Sequence, residues 1–365
     1  MTELSKKEQL YELIRANPFI AQQDLAAELG LSRSAVAGHI AALVRERRLL
    51  GRAYVLPDQR PILCVGAANI DRKLRASGPL LMGTSNPASG IESFGGVARN
   101  IAENLARMGA AVALITAVGN DSAGRALLAH AESAGIDTRG CLRLDDAGSG
   151  TYTAVLDADG QMVVALADMA LYDRITPAFL DTRQQQRAGA SLIVADLNLS
   201  QGAIATLQRD AAQEGVALVL VAVSEPKMNR LPHSLEGVRL LILNAGELGA
   251  RVGRTLDNDA DLAAACRDVQ AQGAQDVIVT LGARGVLFTC PGGVEHLAAP
   301  DAEVVDVTGA GDSFAAAVCL SLQGGGNDLA LACRRGLQLA ALTIACRETV
   351  CPQLAPDTFG ALIPD

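Results

Sequence analysis

The 365-residue chain has no tryptophan, only 3% aromatic residues and four histidines. Its core must therefore be built from Ala, Leu and Val, and with half of the residues hydrophobic there is ample length to bury one. His39, His130, His233 and His296 stand far apart with no metal-ligand spacing. The eight cysteines (Cys64, Cys141, Cys266, Cys290, Cys319, Cys333, Cys346 and Cys351) are scattered singly, none in a Cys-x-x-Cys pair and most in apolar runs. That pattern reads as buried free thiols and argues against zinc or thiol chemistry. No run of eighteen apolar residues exists and the first residues lack the apolar stretch of a signal peptide, so a cytoplasmic location without a membrane partner is expected.

Glycine is plentiful at 36 residues, which suits a fold with many tight turns between strands and helices. Charge is uneven. Residues 1–60 carry nine Lys/Arg against seven Asp/Glu, whereas the remainder carries 22 against 33 of the chain totals of 31 and 40. A slightly basic head on an acidic body makes the head the part suited to a polyanion. Ser5 is placed to cap a first helix bearing Leu10, Leu13 and Ile14, and a second over 21–29 ends at Gly30. Ser32 opens a third, with Val36, Ile40 and Leu43 on one face and Arg33, Ser34 and His39 elsewhere on it. Arg45 to Arg48 and Gly51-Arg52-Ala-Tyr54-Val-Leu then read as a two-stranded wing. The pattern over 1–56 is a winged helix-turn-helix, whose third helix would enter the major groove of duplex DNA; a packing or dimerisation module is the alternative. Pro57-Asp-Gln-Arg60-Pro61 reads as a linker.

Beyond it, apolar runs alternate with helical stretches, the pattern of a parallel sheet covered on both faces. Strands are expected over 62–66, 112–118, 191–196, 217–223, 240–243 and 276–281. Two further strands, 151–156 and 162–166, flank Asp159-Gly160, a hairpin turn signal, and would form a small β lid. The lid, over about 66–93 and 151–168, would lie over one end of the sheet.

The run Asp306-Val-Thr308-Gly309-Ala310-Gly311-Asp312-Ser313-Phe314 is the richest in chemistry. Small residues let the backbone approach a ligand, and the N–H groups that open the following helix favour an anion. Asp312 stands at the mouth of that anion site. Phosphoryl transfer to an alcohol needs this pairing of donors for the phosphate and a base for the hydroxyl. A plain turn before a helix is the bland alternative. A second glycine-rich element, Phe94-Gly95-Gly96-Val97-Ala98-Arg99-Asn100, leads into a helix closed by Gly109.

With these two elements in this order, residues 61 to the C-terminus resemble the PfkB family of carbohydrate and nucleoside kinases. The stretches Gly66-Ala-Ala-Asn69-Ile-Asp71, Ser85-Asn86-Pro87, 95–106 and Ala165-Leu-Ala-Asp168-Met169 are most similar to its pseudouridine kinases. The resemblance implies a ribokinase-like α/β fold over 62–365, a three-layer α/β/α sandwich with a β lid. It implies ATP-dependent phosphorylation of the 5′ hydroxyl of a ribonucleoside, with Asp312 as general base and Gly309, Ala310 and Gly311 as the anion turn. Asn69, Asp71, Gly96, Asn100 and Asp168 would meet the substrate. For Asn69 and Asp71 an Asx-turn after a strand is the alternative. Asn244, Thr280, Gly282, Gly285, Thr308 and Gln338 would meet ATP. Glu247 would hold Mg2+ through water, and Asp306 with the loop 347–350 would hold a monovalent cation, K+. Taken alone, Asn244-Ala-Gly-Glu247 is also a capped helix start. The expected assembly is a homodimer.

One departure stands out. Relatives carry Asp-Pro-Val-Ser where this chain has Val221-Ala-Val-Ser224, which removes an acid near the magnesium network. The rival reading is a transcriptional regulator that uses a kinase fold as a ligand sensor. The retained Asp312, Gly-Ala-Gly turn, Asn244 and Glu247 favour the enzyme.

Overall fold

The computed structural model describes residues 5–17, 20–49 and 60–362. The chain divides into two compact units, Met1–Pro61 and Ile62–Asp365.

In the first unit, helices Lys6–Ala16, Gln22–Leu29 and Arg33–Arg45 pack around Leu10, Ile14, Leu25, Val36 and Leu43. Each boundary follows its local chemistry. The Ser5 hydroxyl accepts from the Glu8 N–H at 3.3 Å and the Ser32 hydroxyl from the Ala35 N–H at 3.1 Å, while Gly30 ends the second helix in the left-handed conformation. Arg48 is drawn inward, donating to both carboxylate oxygens of Glu8 at 2.5 and 2.8 Å and stacking 3.9 Å over the Tyr11 ring. The first half of the expected wing is not a strand, because the third helix runs on to Arg45 and 46–49 form a turn; its second half over 51–56 and the linker residues 57–59 lie outside the described residues.

The second unit is built on an eight-stranded sheet. Its strands are β1 (Ile62–Val65), β4 (Val112–Ile115), β9 (Leu192–Asp196), β10 (Ala217–Val221), β11 (Leu240–Asn244), β12 (Asp276–Thr280), β13 (Val286–Cys290) and β14 (Gly293–Leu297). They run in the order β14-β13-β12-β11-β10-β9-β1-β4. Strands β1, β4, β9, β10, β11 and β12 are parallel, but β13 and β14 pair antiparallel at one edge, so the sheet is mixed rather than wholly parallel. The edge hairpin escaped the sequence pattern because Val286–Cys290 follows Thr280 too closely for a crossover helix to intervene. Side chains alternate along each strand into two cores. Leu63 and Val65 meet Ile204, Leu207, Leu248 and Leu262 on one face; Ile62 and Cys64 meet Ile101, Leu105, Phe314 and Leu339 on the other. The result is three layers, helix–sheet–helix.

The lid is a separate four-stranded sheet ordered β3-β2-β7-β8, from β2 (Asn69–Ala76), β3 (Ala88–Gly95), β7 (Thr151–Leu156) and β8 (Met162–Asp168). β3 falls largely within the 66–93 segment expected in the lid; its run Ala88-Ser-Gly-Ile-Glu-Ser-Phe-Gly95 is largely exposed, and antiparallel pairing to β2 makes it a strand. The turn between β7 and β8 is longer than a two-residue Asp159-Gly160 hairpin. Asp157 accepts from the Asp159 and Gln161 N–H groups at 3.0 and 2.8 Å and organises the loop. A small pair, β5 (Ala117–Gly119) with β6 (Leu142–Leu144), completes the strands.

Candidate active site

The proposed site residues gather where the parallel strands end, the carboxyl edge at which α/β sheets bind ligands. Leaving β1, the chain turns through Gly66-Ala67-Ala68 into β2, which begins at Asn69. Asp196, the last residue of β9, holds that turn. Its buried carboxylate accepts from the Ala67 N–H at 2.8 Å and the Ala98 N–H at 3.0 Å, tying the exit of β1 to the start of helix Val97–Arg107. Tyr172 clamps the same turn, donating to the Ala68 carbonyl at 2.5 Å and accepting from its N–H at 3.1 Å. Neither residue was singled out from the sequence. An acid closing the apolar run 191–196 was the available signal for Asp196.

Asn69 donates to Asp71 at 2.6 Å, and burial raises the Asp71 carboxyl above its ordinary value. A side chain at Gly95, the register partner of Asn69, would collide with the Asp71 carboxylate at 2.1 Å; glycine there gives the acid its seat. Gly96 precedes helix Val97–Arg107 as its N-cap. From that helix the buried Asn100 donates to Asp312 at 2.6 Å, and Asn100 in turn accepts from Arg99. Arg99 is itself fully buried, donating to the carbonyls of Gly95 at 3.1 Å and Phe94 at 2.8 Å and pairing with Glu103. The structure thus brings Asn69, Asp71, Gly96, Asn100 and Asp312 together around the lid root.

Asp312 lies in the first turn of helix Ala310–Leu322. It retains a partly exposed face, yet burial of the carboxylate pushes its pKa up to about 7. The charges of Asp196 and Asp71 raise it further, against the Asn100 hydrogen bond and the Arg99 charge. A carboxylate so tuned can accept a proton near neutral pH. The turn before it depends on Gly309, whose φ of +85° is left-handed and whose missing side chain makes room for the Thr349 carbonyl, 2.0 Å from where a Cβ would sit. Ala310 and Gly311 then open the helix; the Ala310 N–H makes a long bond of 3.3 Å to the Val307 carbonyl, and as first-turn residues neither has an intrahelical acceptor.

Asp306 has a different setting. Its Oδ1 accepts from the Thr308 N–H at 2.9 Å and hydroxyl at 2.6 Å, and its Oδ2 accepts from Lys73 Nζ at 2.5 Å. Burial alone would raise its pKa, but Lys73 and Thr308 hold it below the ordinary carboxylate value. Lys73 thus pairs with the carboxylate at which a monovalent cation was expected. Thr308, expected near ATP, is engaged in this cluster.

On the nucleotide side, Asn244 and Thr280 end neighbouring strands and lie directly opposite each other in register. With Gly246, Gly282 and Arg284 they line a cavity of about 390 Å³. Gly285 closes the turn that follows. Asn244 and Glu247 form a capping box, with the Asn244 N–H donating to Glu247 Oε2 at 2.7 Å and the Glu247 N–H to Asn244 Oδ1 at 2.9 Å. Oε1 of Glu247 is left over, and burial raises this carboxyl, with the charge of Glu225 adding to the effect. Glu225 was missed from the sequence. Its Oε1 occupies the space a side chain at Gly246 would need, 2.2 Å from the would-be Cβ. Val221-Ala-Val-Ser224 lacks the acid, but Glu225, four residues after Val221, places a carboxylate beside Gly246 and Glu247. Two carboxylate groups of this kind fit a hard divalent cation that keeps water and phosphate in its shell. Among the described residues no group of three or more His, Cys, Asp or Glu could hold a metal by itself.

Two expected residues stand apart. Asp168 ends β8 exposed, and among the described residues its side chain makes no hydrogen bond, although its charge reaches Tyr172. Gln338 is half-buried on helix Leu329–Ile344 and lines neither cavity. A larger cavity, about 1090 Å³, runs behind the lid root past Arg72, His130 and Pro352; it touches Asp71 and Asp306 but not Asn69, Asn100 or Asp312. The eight cysteines are free, as expected, with Cys346 and Cys351 bringing their sulfurs within 3.1 Å. In the first unit, Arg33 and Ser34 are exposed and His39 is half-buried on helix Arg33–Arg45; Arg33 bonds Gln23 and Ser34 shares a hydrogen with Ser32 at 2.9 Å. Among the described residues no helix is long and apolar enough to cross a membrane.

Comparison with known proteins gives the same division. A profile of the pfkB family of carbohydrate kinases matches residues 59–354, and one of winged helix-turn-helix DNA-binding domains matches residues 5–47. The sugar kinase YeiI of Escherichia coli (strain K12) is 32% identical over 361 residues, 99% of each chain. The pseudouridine kinase of the same organism is 30% identical over 80% of this chain and 93% of its own. The structure of Arabidopsis thaliana ribokinase complexed with ribose and ATP superposes with a TM-score of 0.74 over 84% of this chain and 99% of that one; at 20% identity it establishes the ribokinase-like fold.

Proposed function

The chain belongs to the pfkB family of carbohydrate kinases, and from that membership we propose that it transfers the γ-phosphate of ATP to the primary 5′ hydroxyl of a ribonucleoside, with pseudouridine the first candidate. One observation carries the reading. Asp312, tuned to about 7, opens a helix N-terminus and is joined through Asn100 to the lid root, where Asn69 and Asp71 stand. Asp71 and Asn69 bind the ribose diol, a carboxylate accepting from two vicinal hydroxyls. Asp312 takes the proton of the attacking hydroxyl, and the N–H groups at Gly309 to Gly311 meet the charge on the transferred phosphoryl group. Asn244, Thr280, Gly282 and Gly285 hold the nucleotide. Glu247, with Glu225 beside it, holds Mg2+ through water; the ion supplies neutralisation of phosphate charge. The lid excludes water, which would otherwise take the phosphate. Asp168, exposed at the end of β8, is the residue assigned to the base. The exposed apolar residues Ile91, Met162 and Leu166 of the lid support a homodimer.

ADP release from ATP and Mg2+ with a panel of nucleosides and sugars tests the reading. Pseudouridine is expected to lead; turnover of ribose but no nucleoside would shift the substrate, and no turnover of any would favour the sensor reading. The first unit, we propose, binds duplex DNA through Arg33, Ser34 and His39.

A further inference from the structure

A monovalent cation is expected at Asp306 beside the anion turn, yet that carboxylate already has a positive partner within the chain. β2 carries Asp71 and, two residues on and therefore on the same face, Lys73. From the lid, Lys73 reaches the far end of the chain, with its ammonium 2.5 Å from Asp306 Oδ2 and 3.4 Å from the Thr308 hydroxyl. Asp306 spends its other oxygen on Thr308, fixing the entry to Gly309. The segment is held from behind as well, by the Val305 N–H donating to the Ile344 carbonyl at 2.8 Å and by Gly309 pressed on Thr349. One positive charge is thus supplied at the root of the turn, on an oxygen that a potassium ion would need.

We propose that Lys73 is a built-in monovalent cation, a positioning residue that orders the anion turn through Asp306 and makes the enzyme independent of potassium. The inference rests on the phosphotransfer reading of the same turn. It also couples lid and turn. Because Lys73 and Asp71 share a strand, the segment that carries the sugar-binding acid also sets the charge at Asp306. A free ion could not do this. Arg347 lines the same cavity, but among the described residues it makes no hydrogen bond or ion pair, and Lys73 is the group that pairs with Asp306.

The test uses the full chain with Lys73→Met and Lys73→Arg, in buffers whose only monovalent cation is tetramethylammonium, with KCl or NaCl then added. Wild-type turnover of the best nucleoside of the panel is expected to change no more with KCl than ionic strength alone dictates. Lys73→Met is expected to lose about ten- to a hundredfold without potassium, the size of a lost supporting contact, and to recover with KCl but not NaCl. Thermal melting provides a readout that needs no substrate: KCl is expected to raise the Tm of Lys73→Met by about 2–4 °C and leave the wild type and Lys73→Arg unmoved. If no nucleoside is turned over, the phosphotransfer reading fails while melting still decides the role of Lys73. A wild type that requires potassium, or a folded Lys73→Met protein indifferent to potassium in both readouts, overturns the proposal.

Discussion

Asp306 and Asp312 bracket one turn, six residues apart, and their surroundings drive them in opposite directions. At the near end, Lys73 and two Thr308 donors hold Asp306 ionised and its pKa low. At the far end, burial and the neighbouring acids Asp196 and Asp71 raise Asp312 to about 7, with one amide as its hydrogen-bond donor. Residue type is the same, so the difference lies wholly in what the fold brings to each carboxylate. The paired acid organises backbone; the unneutralised acid can exchange a proton.

The largest expected effect tests whether the unneutralised end does the chemistry. Asp312→Asn keeps shape and removes basicity, so turnover should fall by about two to four orders of magnitude with little change in substrate affinity. In the wild type, kcat/KM should rise with pH through about 7, as Asp312 loses its proton, and fall away below. Turnover at the wild-type level in the variant would remove Asp312 from the mechanism. Next in size is the sugar. A 2′-deoxy or 2′,3′-dideoxy nucleoside leaves Asp71 without its hydroxyl and should bind about ten- to a hundredfold more weakly, from roughly 1–3 kcal/mol per unsatisfied buried group. Equal constants for the ribose and deoxyribose forms would place Asp71 away from the diol.

A comparable loss, about tenfold or more, is expected in the other unit. Arg33→Ala should weaken binding to a specific DNA fragment by roughly 1–3 kcal/mol and leave nucleoside turnover intact, since the two units are separate compact bodies. Gel shifts across a salt series read this, and affinity in the wild type should fall steeply with salt. Failure to shift any fragment at low salt would make the head a packing module.

The smallest effect sharpens the contrast most, because it predicts opposite signs. At pH 8 both acids are ionised. Ionising Asp312 opposes folding, since its folded pKa lies above its unfolded one; the cost grows from about pH 4 to 7 and stays above that. Asp306, whose folded pKa is depressed, contributes stability that is present above its unfolded value and lost as pH falls through the folded one. Asp312→Asn should therefore raise Tm, and Asp306→Asn should lower it, each by about 2–4 °C for ~1 kcal/mol in a unit of this size. Shifts of the same sign would break the comparison.

The sequence by itself determined the local chemistry. Ser5, Ser32 and Gly30 bound the head helices because capping is decided within a few residues, and the six parallel strands showed in their apolar runs because both faces are buried. Asp312 and the Gly309 turn were legible because a positive φ and a helix start leave glycine and acid at fixed spacing. Contacts across the chain were not. Lys73 meets Asp306 across 233 positions and Asn100 meets Asp312 across 212, and nothing local at either residue signals the other. β3 and the β13–β14 hairpin likewise exist through pairing with neighbours rather than through propensity. The tertiary structure alone decided which acid is neutralised and which is left to titrate, because a pKa is set by burial and by charges brought from elsewhere in the fold.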